Sequence, residues 1–345
     1  MTPIFINFYS NIIANKKYNI AGFDLDYTLI KTKSGNIFPK NKDDWIIWAD
    51  KVKLKLYELS NDLDTIIVIF SNQKGLKNDI LINDFKQKIN NIQTFLDINF
   101  ILIASVEDDI YRKPRIGSIQ LLTETLNIKI NKKNSFYVGD MAGRKNDKFD
   151  TDIKFAINLK VTFYTPEEYF LNEQNNDDFK ISGYQLDNNS KNTVLNIKQE
   201  NNKIVIISGY PGAGKSHLAK KFIGFEYFSR DLHGNKFSKN LIDAMAYGKP
   251  IVVEGLYSND TPRKELKKLI ETYKYNSIYI LVKTSYELAY HLNLYRSLYE
   301  EKSRISEIVY MKYRKDFEYP QESDWGEIIE YHPHISKKIN KYYLY

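Results

Sequence analysis

Apolar and polar positions along the chain form two stretches of alternating strand-like and helix-like pattern, separated by a polar interval. In the first stretch, residues 20–24 are a short apolar run ending in acids and predict a central strand. Residues 51–59 set Val52, Leu56 and Leu59 at helical spacing, and 65–70 form a β-branched run that predicts a strand. Helical periodicity returns over 76–95 at Leu81, Phe85, Ile89 and Ile92. A strand is expected at 100–104, a helix at 116–126 and a strand at 135–138. Residues 171–202 are rich in Asn, Asp, Gln and Ser, with isolated apolar positions, and read as a linker. Beyond it come a strand from 204, a helix from 215, a strand at 251–253, a helix at 262–273, a strand at 277–282, and helices at 285–299 and 306–317. Strands alternating with helices predict α/β domains, each a parallel sheet with helices on both faces. The expected division is 1–172, a linker at 173–202, and 203–345. In such sheets ligands sit at the carboxyl ends of the strands. Those positions hold Asp24 and Asp26, then Ser71, then Gly139 and Asp140.

The bulk composition changes this picture little. At 345 residues the chain is long enough for two cores, and its 43% hydrophobic content is ordinary for globular domains. No apolar run reaches membrane-spanning length, so no membrane partner is expected. No charged segment followed by an apolar core opens the chain, so no secretory signal is expected. The absence of cysteine excludes disulfides and Cys-type zinc sites and fits a reducing compartment. An intracellular setting follows, nucleus or cytoplasm, including that of a viral protein in its host. The formal charge of +7 leans towards an anionic partner, although lysine also serves plain solubility.

The clearest chemical signal lies at 209–216. Gly209-Tyr-Pro-Gly212-Ala213-Gly214-Lys215-Ser216 fits G-x-x-x-x-G-K-[ST] at every fixed position, after an apolar strand and before a helix. Glycines let backbone N–H groups wrap phosphate oxygens, Lys215 reaches the β/γ-phosphates, and Ser216 supports Mg²⁺. A chance glycine turn would not bring both flanks with it. The second half is therefore expected to bind ATP.

The first half carries a different phosphate signature. Asp24-Leu25-Asp26-Tyr27-Thr28 fits the D-x-D-x-T motif of haloacid dehalogenase-like phosphatases, which it resembles. The resemblance implies that Asp24 is a nucleophile forming an aspartyl-phosphate. Asp26 would protonate the leaving oxygen and then activate water. Such chemistry needs a neutralised phosphate and two acids in different environments. D-x-D alone is common in solvated turns, but three later pieces follow in the family's order. Ser71 and Asn72 follow a strand and would bind phosphate; Arg112-Lys113-Pro114 supplies cations, with Lys113 matching the phosphate-binding lysine. Gly139-Asp140 follows a strand, and Asp140 would complete a Mg²⁺ site with Asp24 and Asp26. Asp152 is a further ligand or a supporting group.

Longer matches narrow the family. A-G-F-D-L-D-Y-T-L-I-K-T-K-S-G-N-I-F-P, Asp44-Trp45, I-F-S-N-Q, Y-R-K-P, F-Y-V-G-D-M-A-G-R and T-P-E-E-Y-F together resemble the phosphatase half of the polynucleotide kinase 3′-phosphatase family. The resemblance runs over roughly 18–335 and is weakest across the linker. In that family the kinase follows the phosphatase. Arg230-Asp231 resembles its Arg-Asp pair, which implies Asp231 as general base for a 5′-hydroxyl; the alternative role for Asp231 is a helix N-cap. Arg263 falls where the family has an arginine facing the phosphates, and Arg296 matches a lid-helix arginine. The departures are Tyr27 for Gly, Ser71 for Thr, Leu294 for a lid arginine, and Glu254-Gly255-Leu256-Tyr257-Ser258 for an acidic-Asn-Thr-Asn-Pro segment.

The resemblance implies a bifunctional end-healing enzyme that acts on DNA ends, nicks or gaps, with RNA ends as an alternative, and uses Mg²⁺ and ATP. A fused metabolite phosphatase and small-molecule kinase is the competing reading. Two opposed activities on one small molecule would form a futile cycle, whereas on a strand break they address different ends. About twenty residues precede Asp24, too few for the phosphopeptide-binding module of vertebrate relatives. A monomer is expected.

Overall fold

The computed structural model describes residues 2–175, 178–186 and 193–345; parts of the expected linker, 176–177 and 187–192, lie outside the described residues. The chain divides into two compact units, Met1–Gln185 with Lys341–Tyr345, and Leu186–Asn340. Among the described residues no helix is long and apolar enough to cross a membrane.

The first unit is built on a sheet whose strands are β1 Ile4–Asn7, β2 Lys17–Phe23, β5 Thr65–Asn72, β6 Ile101–Ser105, β7 Lys129–Ile130, β8 Phe136–Val138 and β9 Thr162–Tyr164, with a small β3 Ile30–Lys31, β4 Ile46–Ile47 pair set apart. The order is β1-β6-β5-β2-β8-β9, with β7 also pairing β2. All ladders of the main sheet are parallel except β1, which runs antiparallel to β6. Side-chain alternation divides each central strand between two cores. Ala21, Phe23, Ile67, Ile69, Leu102 and Val138 face one layer, with Val52 and Leu56 of α1 Lys51–Ser60 and Phe85, Ile89 and Ile92 of α2 Asp79–Leu96. Ile20, Ile66, Val68, Phe70, Ile103 and Tyr137 face the other, against α3 Gly117–Leu126 and α4 Thr151–Leu159. Burial on both faces explains why these strands read as unbroken apolar runs. Each large apolar side chain so buried contributes roughly 1.5–3 kcal/mol.

In the second unit the strands β10 Lys203–Gly209, β11 Glu226–Ser229, β12 Ile251–Glu254, β13 Asn276–Val282 and β14 Glu327–Tyr331 form an all-parallel sheet ordered β11-β12-β10-β13-β14. Ile204, Ile206, Val253 and Tyr279 pack beneath α7 Phe237–Ala246 and α8 Asp260–Thr272; Val205, Ile207 and Ile280 pack beneath α5 Lys215–Ala219. The remaining helices are α6 Arg230–His233, α9 Tyr286–Tyr299, α10 Glu307–Asp316 and α11 Glu322–Trp325. In both sheets connections leave to one side of a central strand and then to the other. That switch strand is β2 in the first unit and β10 in the second, and ligands bind beyond such strands.

The chain ends differ from the expected boundaries. Lys341–Tyr345 belongs to the first unit, not with 203–340, because the Asn158 amide and carbonyl bond the Tyr343 backbone (both 2.8 Å), Arg115 Nε donates to Leu344 O (2.9 Å) and Lys154 Nζ to Tyr345 O (2.7 Å). The described linker residues form no helix or strand, yet they are packed: Ser182 N donates to Asp150, and Thr193 Oγ1 accepts from His332 N. The helix expected from Lys215 is short: it ends at Ala219 and gives way to turns ahead of Gly224, whose φ is +85°.

Candidate active sites

Asp24 is the first residue past β2, and its N–H donates to Val138 O of the neighbouring β8 (2.9 Å). Sheet pairing therefore fixes the carboxylate before any ligand arrives. Lys113 Nζ meets Asp24 Oδ1 at 2.5 Å and Asp152 Oδ1 at 2.7 Å, and donates to the Tyr137 hydroxyl at 2.8 Å. Tyr137 in turn donates to Asp152 (3.1 Å). Asp152, in the first turn of α4, also accepts from Met141 N (3.0 Å). A Cβ on Gly139 would lie 2.5 Å from the Asp152 carboxylate, so only glycine fits ahead of Asp140.

Asp24, Asp140 and Asp152 each offer an oxygen within 4.8 Å of the others. Three carboxylates against one ammonium leave two surplus negative charges in a largely buried site. Burial first, then the neighbouring carboxylates, raise Asp24 to about 7, with Lys113 opposing; burial, Asp24 and Asp152 raise Asp140 to about 9. Lys113 is disfavoured by burial, but Asp152 and Asp24 more than offset this and hold its pKa high. Asp140 Oδ1 is buried with no hydrogen-bond partner. An orphaned oxygen in an over-acidic pocket fits a divalent cation with oxygen ligands, as Mg²⁺ prefers.

These shifts set a pH dependence. A carboxyl raised in the folded state binds a proton that the unfolded chain releases near pH 4. Without a cation, stability is therefore complete below that pH and falls as pH rises through about 7 for Asp24 and about 9 for Asp140. Magnesium binds the ionised form, so the rise in Tm on adding saturating Mg²⁺ is expected to be larger near pH 8 than near pH 6. A rise in Tm that is flat or shrinking with pH in differential scanning calorimetry would contradict this charge balance.

The structure places other predicted residues differently. The Asp26 carboxylate, a member of the expected metal set, lies outside the trio of Asp24, Asp140 and Asp152. Leu25 between them is buried, and Asp26 turns away to accept from Gln73 Nε2 (2.7 Å) and to lie 3.6 Å from Lys88 Nζ. Gln73 also donates to Ser71 Oγ (2.8 Å), linking a hydroxyl at the phosphate position to the second acid. The Asn72 side chain is bonded to the Lys113 backbone: its oxygen accepts from Lys113 N (2.9 Å) and its amide donates to Lys113 O (3.1 Å). It holds the lysine loop in place. Gln73, Tyr137 and Lys88 are site residues that pattern reading missed. Lys88 had a signal, a buried lysine within the apolar stripe of α2. Beyond Asp140, Arg144 holds the loop by bonding Asp147 (3.0 Å), Glu167 (3.0 Å) and Asp140 O (2.9 Å).

Tyr27, next to Asp26, has φ +59°, a left-handed backbone that costs a non-glycine residue roughly 1–2 kcal/mol. Its N–H donates to Ile30 O (2.7 Å), closing a tight turn, and its hydroxyl lies 3.3 and 3.2 Å from the carbonyl oxygens of Asn36 and Ile37.

The second site lies beyond β10. Gly212 (φ +75°) would carry a Cβ 2.8 Å from the Tyr310 hydroxyl, and Gly214 has φ +88°. With Gly209 and buried Ala213 they form the expected phosphate loop. Lys215 Nζ donates to the carbonyl oxygens of Gly209 (3.0 Å) and Tyr210 (2.7 Å). Burial pulls its pKa down to about 8, opposed by Glu254 and Asp231 and assisted by Arg296. An ammonium that pays for burial with carbonyl dipoles alone is poised for a phosphate anion. Ser216 Oγ donates to Glu254 Oε1 (2.7 Å), as does the Tyr227 hydroxyl (2.5 Å), while Glu254 Oε2 is buried and unpartnered. The Ser216–Glu254 pair thus also fits a divalent cation, and Glu254 keeps an acid where the flanking segment departs.

Asp231 does not cap α6. Ser229 does, its Oγ accepting from Leu232 N (3.2 Å). The Asp231 side chain is exposed, within electrostatic reach of Lys215. Arg296 bonds Ser303 O (3.1 Å) and keeps a buried Nε with no partner. Arg263 differs from the expected phosphate contact. It is 2% exposed, and under the Tyr279 ring its Nε donates to Tyr257 O (3.0 Å) and its Nη2 to Glu318 O (2.5 Å), while Nη1 is buried with no hydrogen-bond partner. It clamps α8 to the segment after α10. His291 and Asn293 are likewise buried tethers, to Ile339 O (3.0 Å) and the Ile305 backbone (2.9 and 3.0 Å).

Comparison with known proteins agrees in both halves. A family model described as polynucleotide kinase 3 phosphatase matches residues 19–170. A bifunctional polynucleotide phosphatase/kinase of Schizosaccharomyces pombe is 33% identical over 92% of this chain and 79% of its own length. A putative bifunctional polynucleotide phosphatase/kinase of Acanthamoeba polyphaga mimivirus is 29% identical over 90% of this chain and 83% of its own. A polynucleotide 3′-phosphatase of Saccharomyces cerevisiae is 32% identical over 44% of this chain and 87% of its own length.

Proposed function

The chain belongs to the bifunctional polynucleotide phosphatase/kinase family, and from that premise we propose that it removes 3′-phosphates from nucleic-acid ends and phosphorylates 5′-hydroxyl ends, leaving breaks ready for ligation in DNA repair. One observation carries the reading. Each unit has a phosphate cradle beyond its switch strand, built on Asp24 and Lys113 in one and on Gly209–Ser216 with Glu254 in the other.

In the phosphatase unit, an Asp24 oxygen attacks phosphorus and the P–O3′ bond breaks. The departing oxygen takes a proton from Asp26. Asp26 then takes a proton from water, whose oxygen displaces Asp24 and releases inorganic phosphate. Lys113 holds Asp24 in line, and Ser71 is placed to bond a phosphate oxygen. Magnesium held by Asp24, Asp140 and Asp152 would supply positive charge opposite the phosphate oxygens. In the kinase unit, Asp231 takes the proton of the 5′-hydroxyl as its oxygen attacks the γ-phosphorus, and ADP leaves. Lys215 and Arg296 meet the charge that spreads over the phosphoryl oxygens. Ser216 and Glu254 would hold magnesium, which would supply positive charge to the nucleotide phosphates. ATP as the donor supports action inside a cell, in nucleus or cytoplasm.

The test is a nicked duplex bearing 3′-phosphate and 5′-hydroxyl, incubated with Mg²⁺ and labelled ATP. Loss of the 3′-phosphate and gain of label at the 5′ end are expected, and a matched RNA nick ranks the two sugars. Turnover of sugar phosphates with inert oligonucleotides would instead establish the metabolite reading.

A further inference from the structure

The last residues of the chain belong to the first unit, and they meet both segments that carry its phosphatase groups. Lys113 lies on a loop whose backbone is held on one side by the Asn72 side chain. The next two residues of that loop are tied to the tail. Asn158 Nδ2 donates to Pro114 O and to Tyr343 O (both 2.8 Å), and Asn158 Oδ1 accepts from Tyr343 N (2.8 Å). One amide group thus joins the lysine loop to the tail through its nitrogen and its oxygen. Arg115 Nε donates to Leu344 O (2.9 Å), while its Nη1 bonds Asp108 (2.6 Å) and Asp109 O (2.7 Å). Asn158, Arg115 and Leu344 are all buried.

The tail also grips α4, which carries Asp152 in its first turn. Lys154 is 1% exposed. It donates to Tyr345 O (2.7 Å) and Ser182 Oγ (3.3 Å) and pairs with Asp150 (2.9 Å). Its ammonium lies 5.7 and 5.5 Å from the centres of the Tyr343 and Tyr345 rings. Lys154 and Asn158, four residues apart, share one face of the helix. Lys113 must meet Asp24 and Asp152 at once, and this clasp ties the loop of the one to the helix of the other. We propose that Tyr343, Leu344 and Tyr345 are positioning residues of the phosphatase reaction. Through Asn158, Arg115 and Lys154 they hold the Lys113 loop against α4, so that the ammonium keeps Asp24 aimed at phosphorus. A displacement of about 1 Å at such a group can cost on the order of 10²-fold in rate. This rests on the phosphatase reaction proposed above and adds its dependence on residues that follow the kinase unit in the chain.

The experiment compares the full chain, the chain ended at Tyr342, Asn158→Ala, and the two changes combined. Substrates are a 3′-phosphorylated oligonucleotide and a small aryl phosphate, with saturating Mg²⁺, well below each protein's melting temperature. Ending the chain at Tyr342 is expected to lower kcat about 10- to 100-fold on both substrates, with KM within about threefold of the parent. Asn158→Ala is expected to lower kcat about 3- to 30-fold, the size of one or two lost hydrogen bonds. Both changes act through one clasp, so the combined variant is expected to stay within about twofold of the truncated chain. 5′-Phosphorylation by the same preparations is expected to stay within about twofold of the parent. Unchanged kcat in both single variants would overturn the proposal and leave the tail a role in stability alone. So would losses that multiply in the combined variant, or a loss confined to the oligonucleotide, which would make the tail a substrate contact. If the truncated chain does not fold, Asn158→Ala decides by itself, and a kcat within about twofold of the parent would overturn the proposal. A parent protein inert on both phosphates would overturn the proposed function itself, a separate outcome.

Discussion

Asp24→Asn is expected to abolish 3′-dephosphorylation, a loss on the order of 10⁴-fold or more in kcat, and to leave 5′-phosphorylation within about twofold of the parent. The carboxamide has the shape of the carboxylate but is no nucleophile. The fold should survive, since Lys113 keeps Asp152 and the Tyr137 hydroxyl as partners and no buried ammonium is stranded. The substitution also removes one of three crowded carboxylates, so the unit loses a source of repulsion. Assays on separately labelled 3′ and 5′ ends, with circular dichroism to confirm folding, check both halves of the expectation. Retained dephosphorylation would remove Asp24 from the reaction.

Lys215→Ala is expected to lower 5′-phosphorylation by about 10²- to 10³-fold, the size of effect seen when one charge-stabilising donor is removed, and to leave 3′-dephosphorylation unchanged. Here too the fold is not at risk. The Lys215 ammonium is disfavoured by its burial and bonded to two carbonyl oxygens rather than to a carboxylate. A lysine whose pKa is pulled down to about 8 costs folding stability as pH falls below its ordinary value, so removing it relieves a cost. Single-turnover transfer from labelled ATP measures the loss. A variant with full kinase activity would show that the loop does not cradle the donor triphosphate.

The elements that carry the chemistry were the most legible ones, for a physical reason. Strands buried on both faces, such as β5 and β10, must be continuously apolar, and the helices between them must carry one apolar stripe. Sheet edges obey neither rule. β9 has only three residues with an exposed–intermediate pattern, and β1 is four residues long and pairs antiparallel, so neither left a pattern to read. The same split holds at the sites. Asp24, Lys113 and Asp140 stand together beyond β2, and the 209–216 loop stands beyond β10, where motif order predicts them. Motif order does not give the partners that packing chooses for the other side chains. Arg263 sits at the expected position, yet its guanidinium turned inward to carbonyl oxygens, which no spacing reveals. Asn72 is the last residue of β5 rather than beyond it, and its side chain serves the Lys113 backbone. Gln73 and Lys88 reach Asp26 from β5's exit and from α2, contacts set by tertiary packing alone. Sequence adjacency places the tail from Lys341 with the second unit, whereas its hydrogen bonds run to residues more than 180 positions away in the first.

Sealing of a nick by DNA ligase tests most directly that two independent phosphate sites share this chain. The substrate carries 3′-phosphate and 5′-hydroxyl, so ligase alone leaves it open. The parent protein with Mg²⁺ and ATP is expected to make it sealable. Asp24→Asn alone and Lys215→Ala alone are each expected to leave it open, and an equimolar mixture of the two is expected to restore sealing. A mixture that fails to seal, although both variants are folded, would show that the two reactions depend on one site and would contradict the account.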